Sequence, residues 1–166
     1  QRIAAWGTSS GGLLVTASTN LRPDLFRALL LEVPFTDVMN TMCDPTVPLT
    51  VGEWEEIGNP NTRDYFYYMQ EYSPYENLRF ETYPAALITA SLHDAMVGYW
   101  EPLKYAAKLR SVKTDDRPVL VRTNFHAGHG GSANRYECTR EAAFNFAFLL
   151  DQLGLANAPV LGQRAR

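Results

Sequence analysis

The sequence predicts an α/β fold, a mostly parallel sheet with helices on both faces, and three observations predict it. Four short apolar runs, at residues 3–6, 28–33, 85–89 and 119–123, each have the length of a buried strand. Helical patterns separate them instead of hairpin turns. A glycine-rich turn follows the first run directly, where a strand feeds a helix.

The first strand, 3–6, leads into the turn, and a short helix over 13–20 opens on Gly11-Gly12. The step Arg22-Pro23-Asp24 ends that helix, because proline lacks the N–H that a helix interior needs. The second strand follows at 28–33. Residues 34–83 then break the alternation: they are rich in Pro, Asn, Tyr and Glu and contain Tyr65-Phe66-Tyr67-Tyr68-Met69. This stretch reads as an insertion of short helices and loops over one end of the sheet.

The third strand is 85–89. Over 101–112, Leu103, Ala106, Ala107 and Leu109 fall near one helical face, with Lys104, Lys108 and Arg110 off it. Pro102 suits the first turn of that helix. After the fourth strand, 119–123, a last helix over 136–153 carries Ala143, Phe144, Phe146, Ala147, Leu149 and Leu150. Residues 154–166 show no periodicity and predict a loosely ordered tail.

The 166 residues are 46% hydrophobic, 20% charged and 12% aromatic, as in a globular protein. Fifteen basic against 18 acidic residues give a formal charge of -3, which argues against a nucleic-acid partner. Two cysteines, Cys43 and Cys138, form neither a disulfide framework nor a zinc spacing, and both read as structural. No apolar run approaches the roughly 20 residues of a membrane span, and nothing at the start reads as a signal peptide, so no membrane partner and a cytoplasmic location are expected. The chain opens on Gln1 and enters an apolar run at once, which suggests a piece of a larger protein beginning at a catalytic motif.

That motif is Gly7-Thr8-Ser9-Ser10-Gly11, a G-x-S-x-G sequence between a strand and a helix. In α/β-hydrolases this pattern forms the nucleophile elbow, a turn so sharp that residues two positions from the serine must be small. Gly7 and Gly11 meet that need around Ser9; Ser10 would be flanked by Thr8 and Gly12, a poorer fit. The alternative is a glycine-rich turn that merely joins strand to helix or holds a phosphate.

An elbow serine needs an acid and then a histidine further along the chain. Of three histidines, His129 lies in Ala127-Gly128-His129-Gly130-Gly131 after the last strand, where glycines allow close approach; His126 is a weaker candidate. Asp94 follows the third strand, although it could simply cap a helix. Three residues in the right order, each after a different strand, are far more specific than any one of them. The expectation is a partial α/β-hydrolase fold with Ser9, Asp94 and His129 as the triad. In Gly52-Glu53-Trp54-Glu55-Glu56, carboxylates beside a tryptophan suit a cationic group, or are ordinary solvated surface.

Longer strings carry a resemblance: WGTSSGG, LRPDLF, VPFTDV, PLTVGEWEEIGNP, YSPYEN, LHDAMVGYWEP, AAKLRSVKTDD and AGHGG. Over roughly residues 2 to 150 the chain resembles the C-terminal part of the catalytic domain in the prolyl oligopeptidase family of serine peptidases, in its oligopeptidase B branch. The resemblance implies triad roles for Ser9, Asp94 and His129. It implies that Glu53 and Glu55 recognise the basic side chain before the scissile bond. It further implies cleavage of short peptides after Arg or Lys, no metal or organic cofactor, and an N-terminal β-propeller domain that restricts access.

Ser10 stands where the family usually has Ala, and both are small. Met96 stands where relatives tend to place a polar side chain, so binding next to the cleaved residue is expected to differ. The Ser10 backbone N–H would be one oxyanion donor. The family's second donor, a tyrosine side chain upstream of the elbow, is absent from these residues. The 166 residues would then be about the last two-thirds of a catalytic domain, poorly stable and nearly inactive alone. The competing readings are an α/β-hydrolase esterase and a non-catalytic, incomplete fragment.

Overall fold

The structure, a computed structural model, describes residues 3–156. Among them, four parallel strands lie side by side in chain order: β1 (Ala4–Thr8), β2 (Ala28–Glu32), β3 (Ala85–Ser91) and β4 (Val119–Asn124). The helices are α1 (Ser10–Leu21), α2 (Val38–Cys43), α3 (Thr50–Ile57), α4 (Arg63–Tyr72), α5 (Trp100–Val112) and α6 (Arg135–Gln152). A single 3-10 turn at Pro23–Leu25 links α1 to β2.

Successive side chains of a strand point to opposite faces, and here both faces are covered. Leu29, Leu31, Ala86 and Ile88 pack with Val15 of α1 and with Tyr105, Ala106 and Leu109 of α5. Ala28, Leu30, Ala85 and Leu87 pack with Phe148 and Leu149 of α6. That is why the strands read as unbroken apolar runs without polar alternation. Each of Leu29, Leu30 and Leu31 is essentially fully buried, which stabilises the fold by about 2 kcal/mol per side chain.

The element ends differ from the sequence reading in ways pairing explains. β3 runs two residues further, to Ser91, because Ala90 and Ser91 pair with Thr123 and Asn124 of β4. β2 stops at Glu32, since Val33 turns into the left-handed region at φ 40°. β1 spans Ala4–Thr8 in register with Ala28–Glu32 and, among the described residues, pairs on that side alone. α1 begins at Ser10, three residues before the pattern suggested, because the elbow itself is its first turn.

Residues 34–83 form α2, α3 and α4, with a small core of their own. Phe35, Val38, Met39, Met42 and Met69 gather there with Val97, and Leu13, Trp54, Ile57 and Tyr72 pack against them. Of the tail expected over 154–166, residues 157–166 lie outside the described residues. No described helix is long and apolar enough to cross a membrane.

Candidate active site

The link from β1 to α1 turns at Ser9, whose φ of 55° and ψ of -123° are unusual for any residue but glycine. Backbone bonds hold it there. The Ser9 N–H donates to the Glu32 carbonyl at 3.0 Å. The Ser9 carbonyl accepts from the Gly12 N–H at 2.8 Å and the Phe35 N–H at 3.0 Å. Such over-determination is what lets a strained residue persist.

The glycines divide differently from the expectation. A Cβ on Gly7 would lie 2.3 Å from the Gly11 carbonyl oxygen, and one on Gly12 would lie 2.4 Å from Pro34 Cβ. A Cβ on Gly11 would meet open space. The close approaches therefore fall at Gly7 and Gly12, because the helix packs against both its own strand and the exit of β2.

Asp94 sits in the loop after β3. Its Oδ1 accepts the Met96 and Val97 N–H groups, both at 2.9 Å, and its Oδ2 lies 2.8 Å from His129 Nδ1. The Asp94 side chain is 1% exposed and that of His129 19%. With its Nδ1 engaged by the carboxylate, the ring leaves Nε2 to exchange a proton. The His93 N–H donates to the Ala127 carbonyl at 3.2 Å and ties the acid loop to the histidine loop. His126 is exposed, and the bond it makes is from its backbone N–H to Asn124 Oδ1. Among the described residues no hydrogen bond joins the Ser9 hydroxyl to His129; such bonds often form only with substrate bound.

Ser9, Ser10, Leu49, Thr50, Glu53 and Met96 line one small pocket. Glu53 is half-buried, and burial first, then the neighbouring Glu56, pushes its carboxyl above the usual range. Glu55 is exposed and lies outside this pocket. Residues two apart on a helix point about 200° apart, so Glu55 does not share the face of Glu53. Glu56 does: it joins Glu53, Leu14, Tyr68 and Tyr72 along a wider neighbouring groove. The i, i+3 spacing in the acidic run carried that signal.

Among the described residues the non-glycine positions with positive φ are Ser9, Val33 and Leu49. They stand at the elbow, at the exit of β2 and at the start of α3. His129 also borders a separate cavity of about 300 Å³ with Trp6, Glu32, Arg122 and Asn145, which Ser9 does not line. Cys43 and Cys138 are exposed free thiols; the Cys138 thiol donates to the Ser132 carbonyl. Among the described residues no group of three potential metal ligands comes together.

A parallel sheet whose first strand turns sharply into a helix at a serine belongs to the α/β-hydrolase class, and the solved structures it superposes on are peptidases of that fold. Residues 1–156 match the prolyl oligopeptidase family, and the chain belongs to that family. It is 50% identical over 156 residues to dipeptidyl aminopeptidase BI of Pseudoxanthomonas mexicana, covering 94% of this chain and 22% of that protein. It superposes on oligopeptidase B from Leishmania major with a TM-score of 0.91 and 48% identity, over 92% of this chain and 21% of that one. It superposes on oligopeptidase B from Trypanosoma brucei, with covalently bound antipain, with a TM-score of 0.89 and 52% identity, over 91% and 21%. The chain thus spans about a fifth of the length of these relatives.

Proposed function

We propose that this chain carries the catalytic machinery of a serine peptidase that hydrolyses short peptides after Arg or Lys. Ser9 Oγ attacks the carbonyl carbon, and His129 takes the serine proton. The tetrahedral oxyanion accepts a hydrogen bond from the Ser10 N–H. On collapse the C–N bond breaks, His129 returns the proton to the leaving amine, and an acyl-Ser9 ester remains. Water activated by His129 then hydrolyses the ester. Asp94 holds the imidazole in the tautomer that makes this possible and stabilises the imidazolium.

The observation that carries the proposal is the part-buried Asp94–His129 pair at 2.8 Å, in a chain whose elbow serine is held in a strained turn. Glu53, half-buried in the pocket beside Ser9, is assigned to the guanidinium or ammonium of the residue before the cleaved bond, with Glu55 as a secondary contributor. The second oxyanion donor, a tyrosine, and a β-propeller that admits only short peptides are assigned to the rest of a longer protein. The reading includes a cytoplasmic enzyme that needs no metal or organic cofactor.

A fluorophosphonate probe tests the assignment in the full-length protein. Labelling is expected at Ser9 and is lost in Ser9→Ala together with cleavage of arginyl reporters. Labelling elsewhere, or near-normal activity of Ser9→Ala, overturns it.

A further inference from the structure

We propose that Glu101 is a positioning residue for substrate selection, holding the helix that carries Glu53 in place relative to the elbow and the acid loop; this rests on the reading of Glu53 given above. Glu101 lies in the first turn of α5 and is 1% exposed. Among the described residues it has no cationic partner: the adjacent Lys104 pairs with Asp37 instead. A carboxylate buried without a counter-ion is retained only where its hydrogen bonds are satisfied. Here they are, and all three come from the segment between β2 and α3.

Three consecutive backbone amides divide between two partners. The Phe35 N–H donates to the Ser9 carbonyl at 3.0 Å. The Thr36 and Asp37 N–H groups donate to Glu101 Oε2 at 3.1 and 3.0 Å. Glu101 Oε1 accepts from the Thr41 hydroxyl at 2.7 Å. From there the path continues to α3, since the Thr50 hydroxyl donates to the Thr41 carbonyl at 3.0 Å and Trp54 Nε1 donates to the Met42 carbonyl at 3.1 Å. Thr50 and Trp54 bracket Glu53 on one short helix.

On its other side Glu101 reaches the acid loop. Its N–H donates to the Gly98 carbonyl at 2.9 Å, and the Val97 N–H donates to Asp94 Oδ1. The Glu101 carboxylate therefore holds residues 36, 37 and 41, whose neighbours bond the elbow and the recognition helix, while the Glu101 backbone N–H makes the link to the acid loop. An acid serving only its own helix N-terminus would bond the amides of α5. Glu101 bonds those of residues 36 and 37 instead. α3 fully buries only Thr50, so these bonds act together with the packing of Trp54 and Ile57 to place it.

The test compares kcat/KM for an arginyl peptide reporter with that for a neutral acyl ester in the full-length protein. Thr41→Val removes one hydroxyl and keeps the shape; Glu101→Leu removes all three acceptor contacts. Both are expected to lower the arginyl-to-ester ratio at least fivefold, through KM of the arginyl reporter. Glu101→Gln is expected to keep the ratio within twofold, because its amide oxygen can take both N–H groups while its NH2 donates to Thr41. An unchanged ratio in Thr41→Val overturns the inference, as does an equal loss on both substrates. Thr41→Val decides the matter if Glu101→Leu does not fold. Glu53→Gln is the reference: if it lowers the ratio and Thr41→Val does not, the positioning role alone fails. If Glu53→Gln leaves the ratio unchanged, the reading of Glu53 fails and the inference with it.

Discussion

The residues assigned to bond cleavage and the residue assigned to recognition are held by different means. Ser9, Asp94 and His129 follow β1, β3 and β4 of one parallel sheet, so strand register fixes their relative heights. Glu53 stands on α3, an eight-residue helix placed by side-chain hydrogen bonds and a small satellite core. The first region is anchored at the ends of the strands. The second can shift while the sheet stays intact, so the two should separate under mutation.

The strongest break falls on the chemistry. Ser9→Ala is expected to lower kcat by roughly 10⁶-fold with the far-UV spectrum unchanged, the scale seen when a nucleophile is lost. A residual rate near wild type would move the nucleophile elsewhere. Asp94→Asn should cost roughly 10⁴-fold in kcat, because the amide favours the wrong imidazole tautomer. Both effects should be indifferent to whether the substrate is basic.

Recognition should behave otherwise. Glu53→Gln removes a charge-assisted bond worth about 1.5–3 kcal/mol, so KM for an arginyl reporter should rise by roughly 10- to 100-fold. The ester reaction should hardly change. Glu55→Gln, on an exposed position, should have the smaller effect in the same assay. An effect of Glu55→Gln larger than that of Glu53→Gln would mean that α3 turns its other face to the substrate.

The smallest effect concerns stability. Burial, opposed by the bonds from Asp37, Thr41 and Thr36, holds the Glu101 carboxyl above its usual range. The folded state therefore binds this proton more tightly than the unfolded chain does. Stability is lost as pH rises from the unfolded-state pKa through the raised folded one. Glu101→Gln lacks that ionisation, so its Tm relative to wild type should be higher at pH 7 than at pH 4. A difference that does not vary with pH would mean the carboxylate is not destabilised by its burial.

The strand pattern was legible because both sheet faces are covered, which turns strands such as Ala28–Glu32 into unbroken apolar runs. The candidate serine, acid and histidine could be picked out for the same reason: each follows a recognisable strand. The tight packing at Gly12 was not, because it is set by Pro34, across a helix and a strand. Nor was Glu101, which in sequence is only an acidic residue before Pro102 in a first helical turn. Its three donors lie 60 to 65 positions away. The same-face relation of Glu53 and Glu56 needed only the knowledge that their segment is helical.

Ser9, Val33 and Leu49 each hold a left-handed backbone at an expense of about 1–3 kcal/mol, and all three border the loops that meet at the sheet's C-terminal end. Heat should release those loops before it melts the strands beneath them. Inactivation would then run ahead of denaturation: a warmed sample would lose turnover while its circular dichroism still reported an intact sheet, and prompt cooling would restore activity.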